Sequence, residues 1–388
     1  MGSVLLRLIG VLAALSICAF LSGAASAGTY SIQVLETLTT GAESANWAYG
    51  LNENGTVVGQ SYNSVSGTKE AVMWGSNGTV QSLGFTGLAR AVNNNGIIVG
   101  ETGGAQKETP DGYAFSWQSG VTTNLGTLGG AYSGAYDIND SGVITGAANI
   151  DSLGFTPAVY RTHAFKYVSG TMTDLGTVWS PTGYSRGHGI NDAGEIAGRA
   201  SISDFEDSNK HQATWDASGT ISFHNTFAGT YSTAQQINNN GIAVGLAYDS
   251  TSVFQFDRAT VWDGSVYHFM DDLGSGFGRA WSINDAGVIV GHSYEAGGLV
   301  NNDKLATVSF DGQSVIKLST LVDNLTGWTV LSNAYDVNEL GQIVGYGTYN
   351  GEERAFLLTP TAVPVPAAAW LFGSALGLLG WMRRRRTV

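Results

Sequence analysis

The sequence predicts an all-β protein: a seven-bladed β-propeller of four-stranded blades, closed by its N-terminal strand. Three observations predict it. One hairpin motif recurs seven times at spacings of 41–54 residues. A second hairpin follows each of the first six copies. The seventh copy lacks a fourth strand, and the start of the mature chain reads as that strand. Around this core the 388 residues divide into a signal peptide at 1–27, the seven-unit propeller at 28–361 and a sorting segment at 362–388.

The repeat is anchored on one asparagine: Asn52, Asn93, Asn139, Asn191, Asn238, Asn284 and Asn338. Glycine stands three residues later each time (Gly55, Gly96, Gly142, Gly194, Gly241, Gly287, Gly341) and again seven later (Gly59, Gly100, Gly146, Gly198, Gly245, Gly291, Gly345). Four residues before the asparagine there is always Ala or Gly, and immediately before it Leu, Val or Ile. This pattern describes a tight hairpin. The asparagine caps the turn through its side chain, two polar residues follow, and the first glycine takes a positive φ, which makes a type I turn with a G1 bulge. The second glycine ends the return strand or admits a neighbouring backbone.

The second hairpin is an Ala-x-x-Trp-like strand and a glycine turn. It is seen at Ala71–Trp74 with Asn77-Gly78, Ala114–Trp117 with Ser119-Gly120, Ala164–Tyr167 with Ser169-Gly170 and Ala259–Trp262 with Asp263-Gly264. The copies at Ala213–Trp215 and Ala306–Phe310 fall a residue off register. Four strands per unit at this spacing fit a propeller blade and exceed a β-helix period. The orphan strand, residues 30–38, resembles the fourth strand at 121–128 and would clasp the ring, removing an open edge.

The ends carry an address. Arg7, the apolar run Leu8–Leu21 and the small residues Ala25 and Ala27 form a signal peptide with its cleavage site. The only cysteine, Cys18, lies inside it, so the mature chain has no disulfide. At the far end, Pro364-Val365-Pro366 precedes an apolar run to Met382 that reads as one transmembrane helix, followed by Arg383, Arg384, Arg385 and Arg386. The arginines should stay cytoplasmic, leaving the rest outside.

From Val363 to Ser374, through Trp370, the tail resembles the PEP-CTERM sorting signal in its V-P-L-P-A form, with Val365 where the usual signal has glutamate. The resemblance implies export through the Sec translocon of a Gram-negative bacterium and anchoring in the inner membrane. An exosortase would then deliver the chain to the outer surface or extracellular matrix. The repeats resemble the bacterial extracellular HAF repeat, seen as His163-Ala164-Phe165 and, varied, as Tyr113-Ala114-Phe115 and Arg354-Ala355-Phe356. That resemblance covers residues 30–360 and implies an exported protein with no assigned activity.

All 31 acidic residues lie between the end segments, against thirteen of the 18 basic ones, so the exported part carries a net charge of −18. Such a surface argues against a nucleic-acid partner. Function on a rigid ring is expected in its long connections: 61–70, 101–112, 147–162, 200–210, 247–258 and 293–304. Three residues before each key asparagine stand Tyr49, Arg90, Tyr136, His188, Gln235, Trp281 and Tyr335. This ring could stack on sugars near the channel mouth or simply pack between blades. No metal or cofactor is expected. The six histidines lack ligand spacing, and Asp204, Glu206, Asp207, Asp271 and Asp272 read as solvated loop acids. No G-x-S-x-G, H-E-x-x-H or sialidase-type motif is present. The sequence is therefore read as a noncatalytic surface or matrix protein binding polysaccharide or another surface protein. A carbohydrate-active hydrolase or lyase on the same scaffold is the alternative.

Overall fold

The computed structural model describes residues 29–40, 45–103, 112–150, 161–177, 183–201, 210–224, 231–248, 257–264, 266–297 and 304–361. The signal peptide, the sorting tail and its apolar run lie outside these residues. So do Asp204, Glu206, Asp207 and most of the expected long connections. Among the described residues no helix is long and apolar enough to cross a membrane. The chain divides into two compact units, residues 31–359 and a smaller one gathering the two ends. The larger unit carries the sheets.

Each hairpin pair becomes a four-stranded antiparallel sheet in simple up-and-down order. The first comprises Asn46–Leu51, Val57–Asn63, Thr68–Trp74 and Val80–Val92. The long strand Val80–Val92 then continues into the second sheet, with Ile98–Thr102, Ala114–Gln118 and Val121–Asn124. The last sheet has the one non-sequential neighbour: Trp328–Val337, Ile343–Tyr349 and Glu352–Pro360 are completed by Tyr30–Val34. Leu35 N donates to Ala355 O at 3.0 Å beside that strand. The connection expected at 61–70 is instead a tight hairpin, with Gly67 N bonded to Asn63 O at 2.8 Å.

The turn chemistry is as the asparagines predict. In all seven copies the following glycine has φ between 74° and 82°. The asparagine Oδ1 accepts the N–H four residues on at 2.9–3.0 Å. The sequence did not disclose what Nδ2 does. It donates to the carbonyl of the next unit's asparagine, from Asn52 through Asn93, Asn139, Asn191, Asn238, Asn284 and Asn338 back to Asn52, at 2.9–3.1 Å. Each asparagine thus caps its own turn and ties it to the next, and the ties form a closed cycle. All seven are buried, so every donor and acceptor in the cycle needs its partner.

The core lies between successive sheets. Val99 and Ala114 of the second sheet pack with Ala135, Ile138, Ile144 and Phe165 of the third. Leu35, Val344 and Leu357 of the last pack with Leu51, Val57 and Trp74 of the first. Polar stitches cross the same seams. Ser133 Oγ accepts Ala114 N and donates to Gly126 O. Asn46 closes the first and last sheets, accepting Ala355 N and donating to Leu35 O and Glu36 O. With no cysteine in it, the described ring is held by packing and hydrogen bonds.

The second glycine answers the choice left open by its sequence position. A Cβ on Gly59, Gly100, Gly146, Gly198, Gly245, Gly291 or Gly345 would lie 1.9–2.0 Å from a carbonyl oxygen of the paired strand. That carbonyl is pressed in because the first strand of every unit carries a bulge at the same repeat position. The pairing skips Tyr49, Arg90, Tyr136, His188, Gln235, Trp281 and Tyr335 in turn. In the His-Ala-Phe copies the phenylalanine pairs with this glycine, Phe165 with Gly146 and Phe356 with Gly345, and its ring covers the bare backbone. In the fourth unit Gln212 stands where the other copies have alanine, which is why Ala213 looked displaced; Trp215 is in register.

Candidate functional site

A β-bulge opposes two residues to one, so it turns both toward the same side of the sheet. Here that side is the interior of the ring. The bulged residues and those that come after them line one cavity of about 410 Å³, bounded by Tyr49, Arg90, Tyr136, His188, Gln235, Trp281 and Tyr335. All seven residues singled out from the sequence are therefore brought together. Arg186, Asp137, Gln236, Ser282 and Asp336 also border it. The sequence reading missed these. The signal was available in the residue after each ring position, which is polar in four copies and Gly or Ala in the rest.

The walls differ. Tyr335 contacts Tyr49 and Trp281 with ring centroids 5.0 and 5.6 Å apart, making an aromatic wall from three neighbouring units. Opposite in chemistry is the wall of the second to fourth units. Arg90 lies over the Tyr136 ring at 5.0 Å and pairs with Glu101 at 2.6 Å. Tyr132 donates to the other Glu101 oxygen at 2.6 Å. Burial alone would raise the Glu101 carboxyl, but Arg90, Tyr132 and Arg186 hold it below the usual range. Arg186 and Arg199 both lie over Tyr184, at 5.2 and 5.4 Å, and Arg199 donates to the hydroxyls of Tyr184 and Tyr231. The ring residues thus both stack between units and face open space.

His188 sits against this cationic wall, stacked on Tyr136 with centroids 5.6 Å apart and planes 14° from parallel. Its Nε2 is enclosed without a hydrogen-bond partner. Burial, followed by Arg199, Arg186 and Arg90, drives its pKa well below that of an ordinary histidine. The imidazole is therefore neutral at physiological pH, a proton acceptor bordering a cavity.

Asp137, Gln236, Ser282 and Asp336 floor the cavity and separate it from a second one of about 210 Å³ at the asparagine turns. Both carboxylates are occupied. Asp137 accepts from Ile138 N, Ile190 N and Gln236 Nε2, and Asp336 from Val337 N, Leu51 N and Ser282 Oγ. Burial raises Asp137 to about 7 and Asp336 to about 6, and Asp336 repels Asp137 further upward. A raised folded-state value favours the protonated form, so this contribution to stability is full below about pH 4 and is lost as pH rises through 6 to 7. Asp137→Asn removes that loss at its own site. Its stability relative to wild type is expected to improve between about pH 5 and pH 8 in urea unfolding, and a pH-independent difference would refute the assignment.

Past the floor, the residues after each key asparagine form a second closed cycle. Backbone N–H groups donate to the side chains of Asn94, Asp140, Asp192, Asn239, Asp285, Glu339 and Glu53 at 2.7–3.1 Å. The turn end of the channel is accordingly acidic. Asp272 caps its own turn through Gly274 N and Gly276 N, and Asp271 accepts from Gln313, so these acids are turn chemistry.

No protein-family model matches the chain, and no curated protein does. Solved structures resemble it at low sequence identity. It is similar to an oligogalacturonate lyase in complex with manganese, with a TM-score of 0.52 at 11% identity over 86% of this chain and 97% of that one. It is also similar to TolB from Acinetobacter baumannii (TM-score 0.41, 10% identity, 68% of this chain and 65% of that one). A third similarity is to an ulvan lyase (TM-score 0.40, 9% identity, 84% and 96%). The fold is propeller-like and all-β. The expectation that the chain is not an enzyme is corrected by the first of these, because the same sheet arrangement serves a lyase. Absence of a recognisable motif does not exclude catalysis on a scaffold whose functional groups come from distant strands. The described residues do not fit that lyase's manganese. No three His, Cys, Asp or Glu side chains gather among them, and the cavity carboxylates are already taken up by N–H and O–H donors.

Proposed function

We propose that the chain is a carbohydrate-active protein of the cell exterior, a seven-bladed propeller that cleaves polysaccharide in its central cavity. The observation that carries this reading is His188: a neutral imidazole that borders an aromatic-lined cavity and whose enclosed Nε2 has no hydrogen-bond partner to compete for it. A base of that kind suits β-elimination, in which a sugar ring proton is withdrawn and the glycosidic oxygen leaves. Tyr136, stacked on His188, carries the hydroxyl nearest in kind to a proton donor for the leaving oxygen. Hydrolysis needs two carboxyl groups available to substrate and water. Asp137 and Asp336 spend their oxygens on backbone and side-chain donors, which favours a lyase over a hydrolase.

The address belongs to the same proposal. Export begins with cleavage after Ala27, and an exosortase acts near Pro364-Val365-Pro366. The surface protein is expected to begin at Gly28 and to lack the arginine cluster, which its intact mass checks. Incubated with the host's extracellular polysaccharide, the full chain should release short oligosaccharides that absorb in the ultraviolet through a new carbon–carbon double bond. New reducing ends without that absorbance would make it a hydrolase. A polysaccharide of unchanged length would overturn the enzymatic reading.

A further inference from the structure

We infer that His292 is a positioning residue: from behind the cavity wall it fixes the Trp281 indole in the orientation that receives a sugar ring. This rests on the carbohydrate reading and goes beyond it, because that reading needs an aromatic wall but no particular support for it.

The inference starts from the pairing of the inner hairpin. In every unit the residue eight positions after the key asparagine pairs with the residue two before the bulge, as His292 does with Arg279. Directly opposed residues share a face of the sheet, and so do residues two apart on one strand. The paired residue therefore stands at the back of the bulged residue of its own unit. In four units an interaction joins the two. Glu101 binds Arg90 at 2.6 Å, Tyr346 stacks on Tyr335 with centroids 5.9 Å apart, and Arg199 lowers the pKa of His188, second only to burial. In the sixth unit Trp281 Nε1 donates to His292 Nδ1 at 3.0 Å. Where the position holds Gln60 or Ala147, Tyr49 and Tyr136 lean instead on bulged residues of neighbouring units. Trp281 borders the cavity, and His292 is not among the described residues that do.

The bond decides what the tryptophan offers. Indole has a single donor and no acceptor, and a donor left without a partner away from water is costly. With its N–H given to a residue behind the wall, the ring is tied at its one polar edge and asks nothing polar of the cavity. What remains exposed to the cavity is apolar ring, suited to the apolar side of a sugar. Arg279, held to Asp257 through Nε at 2.8 Å, lies over the same ring at 5.8 Å and steadies it further. A ring fixed in advance loses less freedom when a sugar binds. His292 is placed to accept. It is buried between Phe277 and Tyr294, with centroids 6.2 and 5.9 Å away, and burial, followed by Lys304 and Arg279, lowers its pKa to about 3. The neutral imidazole with its proton on Nε2 keeps Nδ1 open to the indole throughout the physiological range.

The test has one arm without ligand and one with it. In proton–nitrogen spectra of the full chain, the indole signal that vanishes in Trp281→Phe belongs to Trp281. Its proton is expected to exchange with water at least about tenfold faster in His292→Phe, which keeps a ring but cannot accept, and near the wild-type rate in His292→Gln, whose carbonyl can. Size-fractionated fragments of the host's extracellular polysaccharide are then titrated into each variant. His292→Phe should weaken their binding by about fivefold or more on its own and by less than about twofold in the Trp281→Phe background. His292→Leu gives the same two readouts should the phenylalanine variant fold poorly. An unchanged indole exchange rate, or an equal effect on binding in both backgrounds, would overturn the inference and leave the carbohydrate reading standing. Fragments that fail to bind the wild type would remove that reading and the sugar role of Trp281 with it.

Discussion

Gly198→Ala is expected to leave the protein unfolded or insoluble, a loss of about 4 kcal/mol or more from a single methyl group. The added Cβ would sit 1.9 Å from the Arg186 carbonyl oxygen and 2.9 Å from its carbon, both backbone atoms, so no side-chain rotation relieves the clash. Relief requires the Arg186 carbonyl to withdraw, and that carbonyl is held by the bulge at His188. Flattening the bulge would shift the register of the first strand, and a one-residue slip sends every side chain to the opposite face. The buried Ile190 would leave the core and the cavity ring would lose His188. The competing account, in which this glycine merely ends a strand, predicts a cost or gain of no more than about 1 kcal/mol for alanine. Soluble yield and a thermal melt separate the two, and a melt close to wild type would sink the bulge account.

That glycine also marks how far the sequence could be read. The turn at each key asparagine was legible because local chemistry determines it: a side-chain cap and a positive φ need particular residues at fixed offsets, whatever surrounds them. The unit count came from the same spacing, and the orphan strand at the N-terminus was legible because the seventh unit is one strand short. The cyclic tie through Asn Nδ2 was not, because it joins residues 41 to 54 positions apart, and from Asn338 to Asn52 spans 286. Nothing local distinguishes an asparagine that only caps from one that also bridges. The cavity was half legible. Tyr49, Arg90, Tyr136, His188, Gln235, Trp281 and Tyr335 stood out by position, but an unbulged strand would have sent Asp137 and Asp336 to the opposite face from them. Strict alternation was the wrong rule at the same repeat position of every unit, and its failure there is what builds the site. Arg186 was passed over for a different reason. It stands two residues before His188 and draws attention only beside Tyr184 and Arg199, the second placed opposite it by the pairing of the two strands.

His188→Ala should lower the rate of polysaccharide cleavage by about a hundredfold to ten-thousandfold, the span usual for loss of a positioned base. The loss should fall on kcat more than on KM, since the aromatic wall of Tyr49, Trp281 and Tyr335 is left in place by the substitution. A merely structural histidine would behave differently: replacing it would lower stability and the active fraction together, leaving kcat per folded molecule unchanged. His188→Gln, which refills the space beside Tyr136 without a titratable group, supplies that control. The pH profile gives a second, independent readout. Catalysis by a base requires its neutral form, and burial with three nearby guanidiniums keeps His188 neutral well below the ordinary histidine range. The acidic limb of kcat/KM in the free enzyme should therefore lie below about pH 6.5, where an unperturbed imidazole would place it. Removing one of those charges should move the limb upward, so Arg186→Gln, assayed at substrate well below KM, should need a higher pH to reach the same fraction of its maximal kcat/KM. If the limb stays fixed when Arg186 is neutralised, or if His188→Gln turns over at the wild-type rate, another group is the base.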